Sequence, residues 1–266
     1  MMRPQTLETL LRREHLIAGG ALAVLAALAW TYLIWLSYAM SPSGPDSMPG
    51  MAMTEVFRPW TLAEFGFAFA MWSAMMIGMM APSIAPAILA HARLSEHPVA
   101  RNNPLAPIGW FVAGYLLAWL GYAFIAATLQ AGFLHSGLIT PSLHSASGFF
   151  GGIVFILAGA YQLTRLKHAC LTYCRSPLTF IHDQGGFRSG TRPALELGLR
   201  HGLYCDLCCW ALMAILFVVG VMDLLWIAVI SIWVLVEKIF ARGILTHLVG
   251  VALIALGTVF LTRAIT

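Results

Sequence analysis

Seven apolar stretches divide this chain, at about residues 16–38, 65–84, 107–131, 147–165, 205–221, 224–241 and 244–262. Each comes close to the roughly 20 helical residues that a bilayer's hydrocarbon core requires. Of the 266 residues, 60% are hydrophobic and only 10% charged, against about 25% charged in a soluble domain. The expected fold is therefore all-α, a polytopic membrane helix bundle with about seven transmembrane helices and the lipid bilayer as its main surroundings. Residues 1–266 read as a single integral membrane domain, because no polar stretch exceeds about 35 residues.

The basic side chains give this bundle a direction. With the N-terminus on the cytoplasmic side, the inner segments hold Arg3, Arg12, Arg13, Arg93, Arg101, Arg165, Lys167, Arg175, Arg188, Arg192, Arg200, Lys238 and Arg242. Arg58 and Arg263 remain outside, so thirteen of the fifteen Lys and Arg residues obey the positive-inside rule. The expected location is a bacterial inner (cytoplasmic) membrane, multi-pass, with the N-terminus cytoplasmic and the C-terminus periplasmic. The net charge of +4 sits in short loops between apolar runs, so no nucleic-acid partner is expected. Arg12-Arg13 precedes an apolar run longer than the roughly 7–15 residues of a signal-peptide core, which reads as a retained first helix.

Between the spans, Met222-Asp223 reads as a tight helical hairpin, and residues 40–58 as a short Pro/Gly-rich outer loop. The inner segment Leu166–Arg200 is the longest. Near its end, residues 193–200 look like a short interfacial helix with Pro193 in its first turn. Gly148 with Gly152, and Gly198 with Gly202, stand four apart, the first pair suggesting a close helix contact.

Sulfur is distributed very unevenly. Met71, Met75, Met76, Met79 and Met80 fall within ten residues of the second span, on two adjacent helical ridges. All five cysteines lie in two groups, Cys170 with Cys174, and Cys205 with Cys208 and Cys209. Helical spacing puts His201, Cys205, Cys208 and Cys209 on one stripe, and Cys170 and Cys174 on one face. Both groups sit at the inner ends of the fourth and fifth spans, where a hairpin would bring them together. Disulfides are disfavoured on the reducing side. Thiolate and thioether select soft ions, so copper(I) is the expected cargo, with zinc as the other ion such thiolates hold. His168 and His201 are the candidate nitrogen ligands. Met48, Met51 and Met53 in the outer loop would capture the ion. Met is also a common core filler and Cys a small buried residue, so packing is the alternative role for each cluster.

Two acidic residues complete the candidates. Glu237, beside Lys238 near the inner end of the sixth span, is a functional candidate because ionisable groups there are costly. Asp206 lies within the cysteine segment but on another face, where it could orient His201 or balance a cation. Pro82 and Pro86 should bend or end the second span just beyond the methionines. Met71-Trp72-Ser73-Ala74-Met75 is echoed by Cys209-Trp210-Ala211-Leu212-Met213, five positions that do not establish a repeat. A phosphate-binding glycine loop, a serine–histidine–acid pattern and a glycosidase-type carboxylate pair are all missing from the sequence.

The segments Met71–Ser83, Tyr161–Pro177 and Gly202–Met213, together with Glu237-Lys238, resemble a bacterial family of predicted metal-binding integral membrane proteins, a domain of unknown function. The resemblance covers about residues 65–262, leaving the first helix and the Met-containing outer loop outside it. It implies a multi-span membrane protein with a metal site and supplies no activity. The expected function is copper(I) binding for copper transport, or for delivery to a membrane partner or complex that accepts the metal. The alternatives are a membrane metallo-enzyme or thiol redox protein, and a structural subunit of a larger membrane complex. No catalytic residue is assigned.

Overall fold

A computed structural model describes residues 4–39, 60–95, 108–140, 143, 145, 147–185, 190–240 and 243–265. The described residues are helical, in the order α1 (Pro4–Ala39), α2 (Leu62–Met80), a 3-10 turn (Ala81–Ile84), α3 (Ala85–Ser95), α4 (Ile108–His135), α5 (Gly148–Gln162), α6 (Arg165–Arg175), α7 (Pro177–Asp183), α8 (Thr191–Ala214), α9 (Leu216–Val219), α10 (Leu224–Ile239) and α11 (Gly243–Ile265). The all-α expectation holds, and every apolar stretch of the sequence contains at least one helix.

Among the described residues, five spans are long and apolar enough to cross a membrane: Gly19–Ala39, Leu62–His91, Ile108–His135, Thr191–Val219 and Gly243–Ile265. The count of seven depends on the other two stretches. The fourth is broken, since α5 and α6 meet at a 64° bend and count together as one span at most. Thr164 makes this bend, capping α6 by accepting from the Lys167 backbone N–H at 3.2 Å. The sixth is α10, whose 16 residues extend only about 24 Å, short of the roughly 30 Å core. Asp223 caps α10 by accepting from the Leu225 and Trp226 N–H groups, which closes the expected hairpin through Gly220. The separate interfacial helix expected at residues 193–200 is instead the first half of the continuous α8, with Pro193 in its first turn.

Close packing falls on two glycine seams. Gly152 and Gly159 of α5 face Gly257 and Gly250 of α11, and a Cβ added at Gly159 would stand 2.5 Å from the Gly250 carbonyl oxygen. Gly114 of α4 lies against the Leu195 backbone of α8 and Gly198 of α8 against the Phe111 backbone, while a Cβ at Gly202 would come within 2.5 Å of Ala118. Removing side chains here lets backbones approach, the arrangement that drives helix association in lipid, where burial of apolar surface gives no net gain. Both glycine pairs read from the sequence therefore lie at helix contacts.

Helix α2 starts with a capping box, in which the Thr61 backbone N–H donates to Glu64 at 2.7 Å and the Glu64 N–H donates back to Thr61. It packs on α1, where the Trp30 indole donates to the Gly78 carbonyl at 3.2 Å. Inside, the Trp72 indole donates to Gln130 of α4 at 2.6 Å and its ring lies 5.1 Å from Phe217. Trp210, its counterpart in the pentapeptide echo, is partly exposed and lies against Tyr161. The two pentapeptides thus occupy unlike surroundings. Pro82 opens the 3-10 turn that ends α2, as its position predicts.

Candidate metal centre

The first half of α8 is held by the α4 seam, and its next two turns by tyrosines on either side. Tyr122 of α4 donates to the Trp210 carbonyl at 3.2 Å, and Tyr161 of α5 donates to the Leu207 carbonyl. This fixes the rotation of α8 and turns Cys205, Cys208 and Cys209 inward, each about 1% exposed. The bend at Thr164 lays α6 against α8. Cys170 and Cys174 lie on the buried face of α6, with Lys167 and Leu171.

The sulfurs converge across these two helices. Cys174 Sγ lies 3.7 Å from Cys208 Sγ. Cys208 and Cys209 donate to the Cys205 carbonyl at 3.1 and 3.0 Å, so both thiols fold back towards Cys205. All five cysteines are free thiols. Two ligands of one tetrahedral ion at about 2.3 Å stand about 3.8 Å apart, so the Cys174–Cys208 pair already has the separation of two sulfurs on one metal. The donor set is soft, which fits copper. Among the described residues, no group of three or more His, Cys, Asp or Glu side chains is already closed around an ion position. A third ligand therefore requires a rotamer change, and Cys205 and Cys209 share the buried stripe of α8 with Cys208.

The end of the methionine helix abuts this cluster. All five of Met71, Met75, Met76, Met79 and Met80 are buried in the core. Tyr115 of α4 stands between the two, its hydroxyl donating to the Met80 carbonyl at 3.2 Å and lying 3.3 Å from Cys205 Sγ. Ser83 of the 3-10 turn is 2.8 Å from the same hydroxyl and 3.9 Å from Cys205 Sγ.

The remaining candidates divide. His201 is buried one turn before Cys205, surrounded by the rings of Phe111, Tyr115 and Phe180. Its Nδ1 has no hydrogen-bond partner, which leaves it free as a ligand. Asp206 Oδ1 is likewise buried without a partner, so those two atoms do not meet. His168 points elsewhere, stacking on His247 of α11 at 4.8 Å. Glu237 pairs with Lys167 at 2.8 Å, both side chains almost fully buried. Met48, Met51 and Met53 lie outside the described residues.

Three further side chains reach the cluster, of which Lys238 and Ser83 lie in segments that carry the resemblance but had no role assigned. Lys238 Nζ lies 2.7 Å from Cys205 Sγ, while the neighbouring Glu237 turns to α6. Tyr115 carries no motif, and only the nearby glycine seam marks its segment.

The chain matches the family model described as PpoB2 copper chaperone over residues 69–260. It belongs to the PpoB2 copper chaperone family. The matched span nearly coincides with the stretch that carries the resemblance in sequence and includes every cysteine and the span-two methionines. The soft-metal reading thereby becomes a copper reading. Comparison with curated proteins found no match, and neither did comparison with solved structures.

Proposed function

We propose that this PpoB2 family member is an integral membrane copper(I) chaperone that holds its cargo on the α6–α8 cysteines and passes it to a membrane-bound acceptor. The observation that carries this reading is the 3.7 Å approach of Cys174 and Cys208 from two helices, with Cys205 and Cys209 beside them. Copper(I) is favoured because the donors that converge are thiols and the adjoining helix end is rich in thioether. Adjacent thiols suit handover, since one sulfur can hold the ion while an acceptor displaces another.

Orientation follows from charge. Arg165, Arg175, Arg192 and Arg200 flank α6 and the start of α8, which favours the cytoplasmic side of a bacterial inner membrane for the cluster. The methionines of α2 would then form the outer part of the route, with Met48, Met51 and Met53 as its capture point.

The test is metal content. Full-length protein purified anaerobically with copper should retain the metal, and C205S combined with C208S should lose most of it while remaining folded. Full copper occupancy in that double variant would reject the site.

A further inference from the structure

Lys238 places its ammonium directly on the sulfur cluster, and its setting is unusual. It approaches Cys205 Sγ to 2.7 Å and is part-buried at the inner end of α10. Its sequence neighbour Glu237 is committed to Lys167 at 2.8 Å. The ion pairs among the described residues are Lys167–Glu237, His182–Asp183 and Arg192–Glu196. Lys238 is in none of them, and the Cys205 sulfur is the close partner of its ammonium.

On the copper reading above, we propose that Lys238 is a specificity-determining residue that makes the site prefer monovalent soft ions over divalent ones. The reason is Coulombic. An ammonium fixed beside a ligand sulfur repels any incoming cation, and the repulsion scales with the ion's charge, so a divalent ion experiences twice that of a monovalent ion at the same place. Burial weakens the solvent screening that would otherwise erase the difference. Thiolates alone do not exclude zinc or cadmium, because these ions bind sulfur readily. The lysine adds the discrimination that ligand softness does not supply.

The test uses the full chain in lipid nanodiscs under anaerobic conditions, with silver(I) as a redox-inert monovalent probe and cadmium(II) as the divalent one. Lys238→Met should raise the cadmium-to-silver affinity ratio on the order of tenfold or more, and Lys238→Arg should leave it near the wild-type value. An unchanged ratio in Lys238→Met overturns the proposal. Should Lys238→Met not fold, the wild type decides, because its silver preference must exceed that of dithiothreitol in the same buffer on the order of tenfold. Equal preference overturns the proposal. Silver binding that survives C205S with C208S rejects the copper site itself, and the role of Lys238 with it. Silver binding lost in that double variant with a flat ratio in Lys238→Met rejects only the lysine's role.

Discussion

The α5–α11 seam and the α6–α8–α10 sulfur end both join segments far apart in the chain, but by opposite means. At the seam, glycines meet glycines, and Gly159 approaches the Gly250 backbone because neither side presents a side chain. At the sulfur end, specific atoms are assembled: two thiols from different helices, an ammonium, a tyrosine hydroxyl and a buried ion pair. The first contact depends on shape and tolerates no added volume. The second depends on charge and hydrogen bonding, and should tolerate changes of volume better than changes of polarity.

The largest effect should come from the charged end. Glu237→Gln leaves Lys167 buried without its partner, which costs about 3–5 kcal/mol. Replacing both, as Lys167→Met with Glu237→Gln, should cost less than the sum of the single changes, measured by thermal or denaturant unfolding in detergent. Additive costs would show that the pair is not coupled. At the seam, Gly159→Val should destabilise by about 1–3 kcal/mol through overpacking, with copper per folded molecule unchanged. A loss of copper per folded molecule would erase the distinction between the two regions.

Tyr115→Phe sharpens the comparison. It removes a hydroxyl that donates to the Met80 carbonyl and touches Cys205, so the stability loss should be about 1 kcal/mol. Copper affinity should fall with it, because Cys205 loses a positioning contact; competition with a copper(I) chelator reads this directly. The smallest effect on stability should be Met79→Leu, a nearly volume-conserving change costing less than about 1.5 kcal/mol. If the methionines form part of the route, loading of the cysteines slows in stopped-flow uptake while the final affinity stays the same. An unchanged uptake rate would reduce Met79 to core packing.

Much of this molecule was legible before any tertiary structure. Apolar segment length marked the helices, since each apolar stretch carries at least one. Period 3.6 put Cys205, Cys208 and Cys209 on one stripe, and all three are buried together. Glycines four apart marked contacts, because close approach is a local requirement of missing atoms. Segment boundaries were less legible. The break at Thr164 and the continuity of α8 past Arg200 depend on a cap and on the α4 seam, neither of which hydropathy registers.

The sequence by itself determined which atoms this chain has for binding a soft metal and which helices carry them, because residue type and helical period are local properties. Only the tertiary structure decided which of them meet. Cys174 reaches Cys208, His168 turns away to His247, and adjacent Glu237 and Lys238 diverge to different helices. Those outcomes are set by the relative rotation and bend of α6, α8 and α10. A difference of about 100° per residue on a helix is enough to send neighbouring side chains to unrelated partners.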